Sequence, residues 1–350
     1  MINIDGSWGE GGGQILRTCL SLATITGQPV RIDRIRAGRK KPGLAAQHLT
    51  SVRAAATLCQ AQVTGDTLGS MTLEFMPTRP PQAGQYTFDV TQAREGGSAG
   101  AVTLILQTIL IPLALANGSS KVILFGGTHV AWSPPVTYIE EVYLPNLRQL
   151  GVRAEVKLNA WGWYPRGGGE VELRVTGSQQ PLCGLQLLER GKIRQIRGLA
   201  VVTELPAHIP QRMANRAANL LQQAHLPSQI EPVRARGIAP GAGIFLTAEY
   251  ENSRAGFSAL GGRGIPAERV AETAVRELLD FHARAVPVDP FLGDQLLLPL
   301  ALSSQISQYR VASISQHLTT NAWVIEQFKL ADIAIEENKQ LVRVIPRGNS

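Results

Sequence analysis

The chain has 350 residues, 44% of them hydrophobic and 17% charged, so it can bury a sizeable core and is neither a disordered tail nor a linker. Its formal charge of +7 suits an anionic partner, although a mild basic excess is also common in soluble proteins. Cys19, Cys59 and Cys183 lie far apart with no CxxC spacing, which argues against a disulfide framework or a zinc site and for reduced thiols in the cytoplasm.

The first predicted element is "GEGGGQILRT", Gly9–Thr18, a glycine turn running into a helix. Such turns hold anions, because the first N–H groups of the helix have no backbone partner and point outward. The spacing matches neither the P-loop nor the dinucleotide fingerprint, so the turn alone does not say what it binds. Asp5 and Glu10 make the N-terminus unlike a signal peptide. A strand, "PVRIDRI", leads into the basic stretch Arg31–Lys41, and a second helix follows in "KPGLAAQHLTSVRAAATLC".

The same order of parts returns in "EGGSAGAVTLILQTILIPLALANGSSKVILFGG" and "SPPVTYIEEVYLPNLRQLGVRAEVKL", with Pro134 opening the second helix. The run "VTLILQTILIPLALA" is broken by Gln107 and Pro112 and is too short to span a bilayer, so it reads as a buried helix and no membrane partner is expected. A third copy reads "FLGDQLLLPLALSSQISQYRVASIS" and "QHLTTNAWVIEQFKLADIAIEENKQLVRVI". The first two copies start about 90 residues apart and the next two about 200 apart, so roughly 90 to 110 residues are inserted before the third. The predicted fold is α/β (α+β): three repeated units of two helices and a sheet at about 1–90, 91–184 and 285–350, with a small mixed α/β domain at 185–284. Within the insert, "KIRQIRGLAVVTEL", "GAGIFLTAEYE" and "AGFSALGG" read as strands. "PQRMANRAANLLQQAH", begun by Pro210, and "PAERVAETAVRELLDFHARA", begun by Pro266, read as helices.

Several polar residues fall where chemistry could use them. Glu10 is either a Mg²⁺ ligand beside a phosphate-binding turn or a charge complementing the helix dipole. Arg17 lies seven residues on, two turns along the same face. Arg36, Arg39, Lys40 and Lys41 are either phosphate clamps or a solvated basic loop. Gln47 and His48 sit early in the second helix, and His317 holds the corresponding place in the third unit, on the edge of a stripe formed by Leu318, Ala322, Ile325 and Phe328. A helix N-terminus biases an imidazole toward its neutral, nucleophilic form. Asp294 and Gln295 flank the glycine turn of the third unit, and Phe291 offers a face for a base.

Together, "DGSWGEGGGQILR", "IRAGRKKPGLAAQHL", "GGSAGAVTLILQT", "FGGTHVAWSPP", "WYPRGGGEV", "FLGDQLLLPLAL" and "SQHLTTNAWVIEQF" resemble the RNA 3′-terminal phosphate cyclases along most of the chain. The resemblance implies three units like the C-terminal domain of translation initiation factor three, plus an inserted domain of thioredoxin-like topology. It implies ATP as cosubstrate, Mg²⁺ or Mn²⁺, and a 3′-phosphate RNA end, converted to a 2′,3′-cyclic phosphate through a histidine–AMP intermediate at His317. Gln107, Pro134, Phe291, Asp294 and Gln295 would hold the nucleotide. Arg17, Arg36, Arg39, Gln47 and His48 would line the phosphate and RNA-end pocket, and Glu10 would ligate the metal. The alternative is a catalytically inactive, RNA-binding relative of the ribosome-assembly type, which would not need a nucleophile at His317.

Overall fold

The computed structural model describes residues 1–93 and 98–347. The glycines Gly96 and Gly97 that open the second copy lie outside the described residues. The chain is mixed α/β. It begins with β1 (Ile2–Asp5), α1 (Gly13–Thr26), β2 (Val30–Asp33), α2 (Ala46–Cys59), β3 (Gln62–Thr64) and β4 (Leu73–Met76). Next come β5 (Gln85–Asp89), α3 (Val102–Ala114), β6 (Ser119–Gly126), then α4 (Val136–Tyr138) continued by a π turn into α5 (Leu144–Gln149), β7 (Arg153–Ala160) and β8 (Gly169–Thr176). A two-residue strand, β9 (Gln186–Leu187), precedes β10 (Ile193–Thr203), α6 (His208–Gln223), β11 (Ser228–Ala235), β12 (Gly241–Tyr250), β13 (Arg254–Leu260) and α7 (Ala267–Arg284). The chain then runs through α8 (Leu292–Gln295), α9 (Leu297–Ala301), β14 (Ser307–Arg310), α10 (Gln316–Gln327), β15 (Ala331–Glu336) and β16 (Leu341–Pro346).

Three of the four-stranded sheets share one plan: β1-β2-β4-β3, β5-β6-β8-β7 and β9-β14-β16-β15. In each, the first pair is parallel and the other two pairs are antiparallel. The parallel partner of β14 is β9, inside the segment 185–284, so the third sheet draws a strand from before the fourth sheet's residues. The fourth sheet is β11-β10-β12-β13, with β10 and β11 parallel. The sequence reading contained no strand at β11, because Pro232 and alternating exposed positions disguise it; an edge strand tolerates both.

The helices of the three like sheets face one another. All residues of α3 but Gln107 are buried, as expected for a helix apolar all round, and it packs on α1 and α2. Pro112 lacks the N–H that would bond Thr108 O, and the Ser21 hydroxyl of α1 donates to that carbonyl at 2.7 Å instead. A helix-breaking residue thus becomes a tie between two units. Ile15, Leu20, Ile105, Leu106, Leu318 and Ile325 share one core, while Ile196, Met213, Leu246 and Leu278 belong to a second core under the fourth sheet.

Helix starts shift by a few residues from the prolines expected to open them. Pro135, not Pro134, caps α4; α2 begins at Ala46, beyond Pro42; and α6 begins at His208, which places Pro210 in its first turn. All three cysteines are free, Cys19 and Cys59 buried and Cys183 exposed. Among the described residues no helix is long and apolar enough to cross a membrane. Leu106→Ala, which hollows the centre of the helix core, is expected to cost about 2–5 kcal/mol, measured as a lower urea midpoint at unchanged slope.

Candidate functional site

The glycine turn is shaped by what must come near it. A Cβ on Gly12 would stand 2.0 Å from Glu10 Oε1, and one on Gly13 would stand 2.3 Å from His48 Nε2. Only glycine lets the Glu10 carboxylate fold back over the start of α1 and lets the His48 ring lie against it. Gly12 caps α1 without a side-chain hydrogen bond, and no acid occupies the first turn. The turn is pinned to α10 from the far end of the sequence: Trp8 stacks on Trp323 at 4.7 Å, and Gly9 lies against Thr320 Oγ1.

This pinning brings His317 to Glu10. His317 is the second residue of α10, after the cap Ser315, whose hydroxyl accepts from Leu318 N–H. Its Nε2 is 3.1 Å from Glu10 Oε2, and Arg39 Nη2 is 3.0 Å from the same oxygen. The His317 side chain is 48% exposed while that of Glu10 is 8% exposed, so the ring is open to solvent and the carboxylate lies mostly beneath it and Arg39. Partial burial lowers the His317 pKa, with Arg17 and Arg39 adding and Glu10 opposing, which favours the neutral ring. The expected stripe is in place, with Leu318, Ala322, Ile325 and Phe328 all buried.

Behind this pair lies Arg17, 8% exposed. Its Nη2 donates to Gln14 Oε1, and its Nε has no partner. Burial pulls the guanidinium down to about 10, so it stays charged at neutral pH. His48 is buried with Nδ1 unpartnered; burial and the cations Arg17, Arg36 and Arg39 hold its pKa well below the ordinary range. These are desolvated donors and a neutral ring beside a helix N-terminus, an arrangement suited to phosphate.

Arg17 also borders a small cleft lined by Gln14, Gln107, Asp294, Gln295 and Asn321. Gln107 Nε2 donates to Gln295 Oε1 at 2.7 Å, and Gln295 Nε2 donates to Phe291 O at 2.6 Å. Burial raises the Asp294 pKa to about 7, with Arg17 opposing. Phe291 is 50% exposed and meets Tyr138 edge-on at 6.4 Å. Pro134 is half-buried just before the α4 cap.

Two residues of the expected pocket are turned to other uses. Arg36 Nη1 donates to Gly43 O at 2.6 Å, bracing its own loop rather than joining Glu10 and His317. Gln47 Oε1 accepts from Ala101 N–H at 3.0 Å, at the cap of α3. Sequence reasoning also missed Asp289, fully buried, which accepts from Tyr138 OH at 2.9 Å and from the N–H groups of Phe291 (2.8 Å), Leu292 (2.9 Å) and Gly256 (3.1 Å). An Asp just ahead of a short helix is a capping signal, but its reach to Tyr138 and Gly256 has no local trace.

No group of three or more His, Cys, Asp or Glu converges among the described residues. Glu10 is a single carboxylate folded back over the glycine turn. This fits a divalent ion held by one side chain together with substrate phosphates and water, the usual Mg²⁺ arrangement.

A family model described as RNA 3′-terminal phosphate cyclase matches residues 8–335. Among relatives named RNA 3′-terminal phosphate cyclase, that of Gloeothece citriformis is 66% identical, covering 100% of this chain and 99% of its own. That of Methylococcus capsulatus is 55% identical over 96% of this chain and 93% of its own, and that of Pyrococcus furiosus 41% over 94% and 93%.

A carboxyl group whose folded pKa is raised stabilises the fold below its unfolded value, and that stabilisation is lost as pH rises through the folded pKa. For Asp294 the window runs from about pH 4 to about pH 7. The melting temperature of Asp294→Asn relative to the parent is therefore expected to climb across that window and level off above it; a constant difference would contradict the assignment.

Proposed function

The chain belongs to the RNA 3′-terminal phosphate cyclase family and is an enzyme of that family, and from this premise we propose that His317 carries AMP during the reaction. ATP and an RNA ending in a 3′-phosphate are the substrates. The observation that carries the reading is the exposed, neutral-leaning His317 held against Glu10, with the buried cation Arg17 behind them.

In the first step a ring nitrogen of His317 attacks the α-phosphorus of ATP. The bond to the β-phosphate oxygen breaks, and pyrophosphate leaves. An oxygen of the RNA 3′-phosphate then attacks the histidine-bound AMP, freeing the ring and giving an RNA(3′)pp(5′)A anhydride. The adjacent 2′-OH, held at high effective molarity, attacks the 3′-phosphorus; AMP leaves and the 2′,3′-cyclic phosphodiester remains. Gln107, Asp294 and Gln295 contact the nucleoside, with Phe291 and Pro134 on the faces of the adenine. Arg17, Arg39 and His48 face phosphate, with Arg36 and Gln47 supporting them from the loop and the α3 cap. A divalent ion, Mg²⁺ or Mn²⁺, held by Glu10 would offset charge on the leaving pyrophosphate.

In the same reading, the three like sheets with their helices are repeats of the type found in the C-terminal domain of translation initiation factor three. Residues 188–284 form the insert, of thioredoxin-like strand order, and β9 belongs to the third repeat. The free cysteines support a cytoplasmic setting. An inactive RNA-binding relative is disfavoured, because it has no use for an open His317 next to Arg17, which borders the cleft of Gln107 and Asp294.

Incubation with ATP labelled at the α-phosphate is expected to leave an acid-labile label on the protein, reduced on the order of 10³-fold or more in His317→Ala. Glu10→Ala is expected to slow labelling and change its divalent-ion dependence; an unchanged dependence would remove Glu10 as ligand. Phe291→Ala is expected to weaken ATP binding about 10-fold, seen as a higher KM for ATP.

A further inference from the structure

Three loops left without a role by the cyclase reading meet on one face: residues 127–133, 161–168 and 236–240. Thr128 and His129 N–H both donate to Gly162 O, at 2.9 and 3.1 Å, and Trp161 bridges to Gly237. Gly168 lies so near Ile238 that a Cβ there would stand 2.0 Å from its Cδ1. Beneath the loops is a floor of rings: His129 stacks on Trp161 at 4.2 Å, Trp161 on Trp163 at 5.6 Å, and Phe245 meets His129 edge-on at 4.7 Å. Phe245 comes from β12, so this floor also fastens the fourth sheet to the loops beside β6 and β8.

The same loops carry exposed side chains. Trp132 is 99% exposed in left-handed backbone (φ 66°), Tyr164 is 77% exposed and Ile238 61%. Arg166 and Arg236 are exposed beside them, and the three loops carry no Asp or Glu. A large aromatic ring left in water, on backbone that disfavours side chains, signals a surface that is covered in use. The loops pack back toward the helix that carries His48 through a chain of backbone contacts. Gly127 and Gly167 touch Ala99, and the next two residues of that segment, Gly100 and Ala101, contact Gln47, the neighbour of His48.

We propose that Trp132, Tyr164 and Ile238, flanked by Arg166 and Arg236, are a stacking platform for the single-stranded RNA that precedes the reacting 3′-phosphate. The proposal rests on the cyclase reading and extends it beyond the terminal nucleotide. Exposed rings take any unstacked base, the arginines take the intervening phosphates, and the absence of acids leaves the polyanion unopposed. A duplex, whose bases are already stacked, offers no such faces.

The test compares a dinucleotide and a dodecamer of RNA, both with 3′-phosphates, by fluorescence anisotropy and by cyclisation KM. Trp132→Ala/Tyr164→Ala is expected to bind the dodecamer about 10-fold more weakly or worse and the dinucleotide unchanged. Arg166→Ala/Arg236→Ala is expected to reduce the salt slope of dodecamer binding by about 1.4. Self-labelling from ATP, which involves no RNA, stays at the parent level in both variants and reports on their folding. Unchanged dodecamer affinity, or equal losses at both lengths, overturns the platform. So does a change in oligomeric state of the tryptophan–tyrosine variant without a change in RNA binding, which would assign the face to a second copy of the chain. Failure of the parent protein itself to label or to cyclise overturns the cyclase reading, a result separable from all of these.

Discussion

Asn321 is 2% exposed, and both ends of its amide are used: Oδ1 accepts from Thr18 Oγ1 at 2.6 Å and Gln14 Nε2 at 3.0 Å, while Nδ2 donates to Asp294 O at 3.1 Å. A buried amide is costly unless paired, so these bonds fix α1, α8 and α10 relative to one another with little tolerance. The consequence is geometric. The N-termini of α1 and α10, more than three hundred residues apart in the chain, open toward the same point, with Glu10 and His317 between them. Two positive helix ends converging on one place make an anion site before any side-chain charge is counted.

Burial shifts the titrating groups around that point. Burial keeps His48 neutral, leans His317 the same way and lifts Asp294 to about 7, while Arg17 remains a cation with an unpartnered N–H. Such a site holds positive potential with little compensating acid, Glu10 being already shared by Arg39 and His317. Such a potential suits an anionic group, and the open, neutral-leaning imidazole of His317 faces it.

On the opposite side of the cleft the constraint is Asp289. By accepting from Tyr138, Phe291, Leu292 and Gly256 it joins the second sheet's helix, the start of α8 and β13 of the fourth sheet. Burial raises its pKa to about 6, and those four donors resist the rise by favouring the carboxylate. The exposed Phe291 ring is thus set on a base to which the fourth sheet is tied by the Gly256 N–H.

What the sequence determined alone is what few-residue chemistry dictates. The apolar run of α3 reads as a buried helix, with Gln107 the one residue left open, and the α10 stripe follows from 3.6-residue periodicity. The glycines of the first turn and the histidine at a helix start are equally local signals, and the fold brings the two together at Glu10 and His317. The parallel pairing of β9 with β14, the edge strand β11, the turning of Arg36 onto Gly43, the use of Gln47 as a cap for α3 and the Asp289 junction were decided only by the tertiary structure. Each depends on which surfaces of distant segments pack together. Local periodicity records that a face is apolar, but not which partner will cover it, nor which buried carbonyl or N–H a polar side chain must then satisfy.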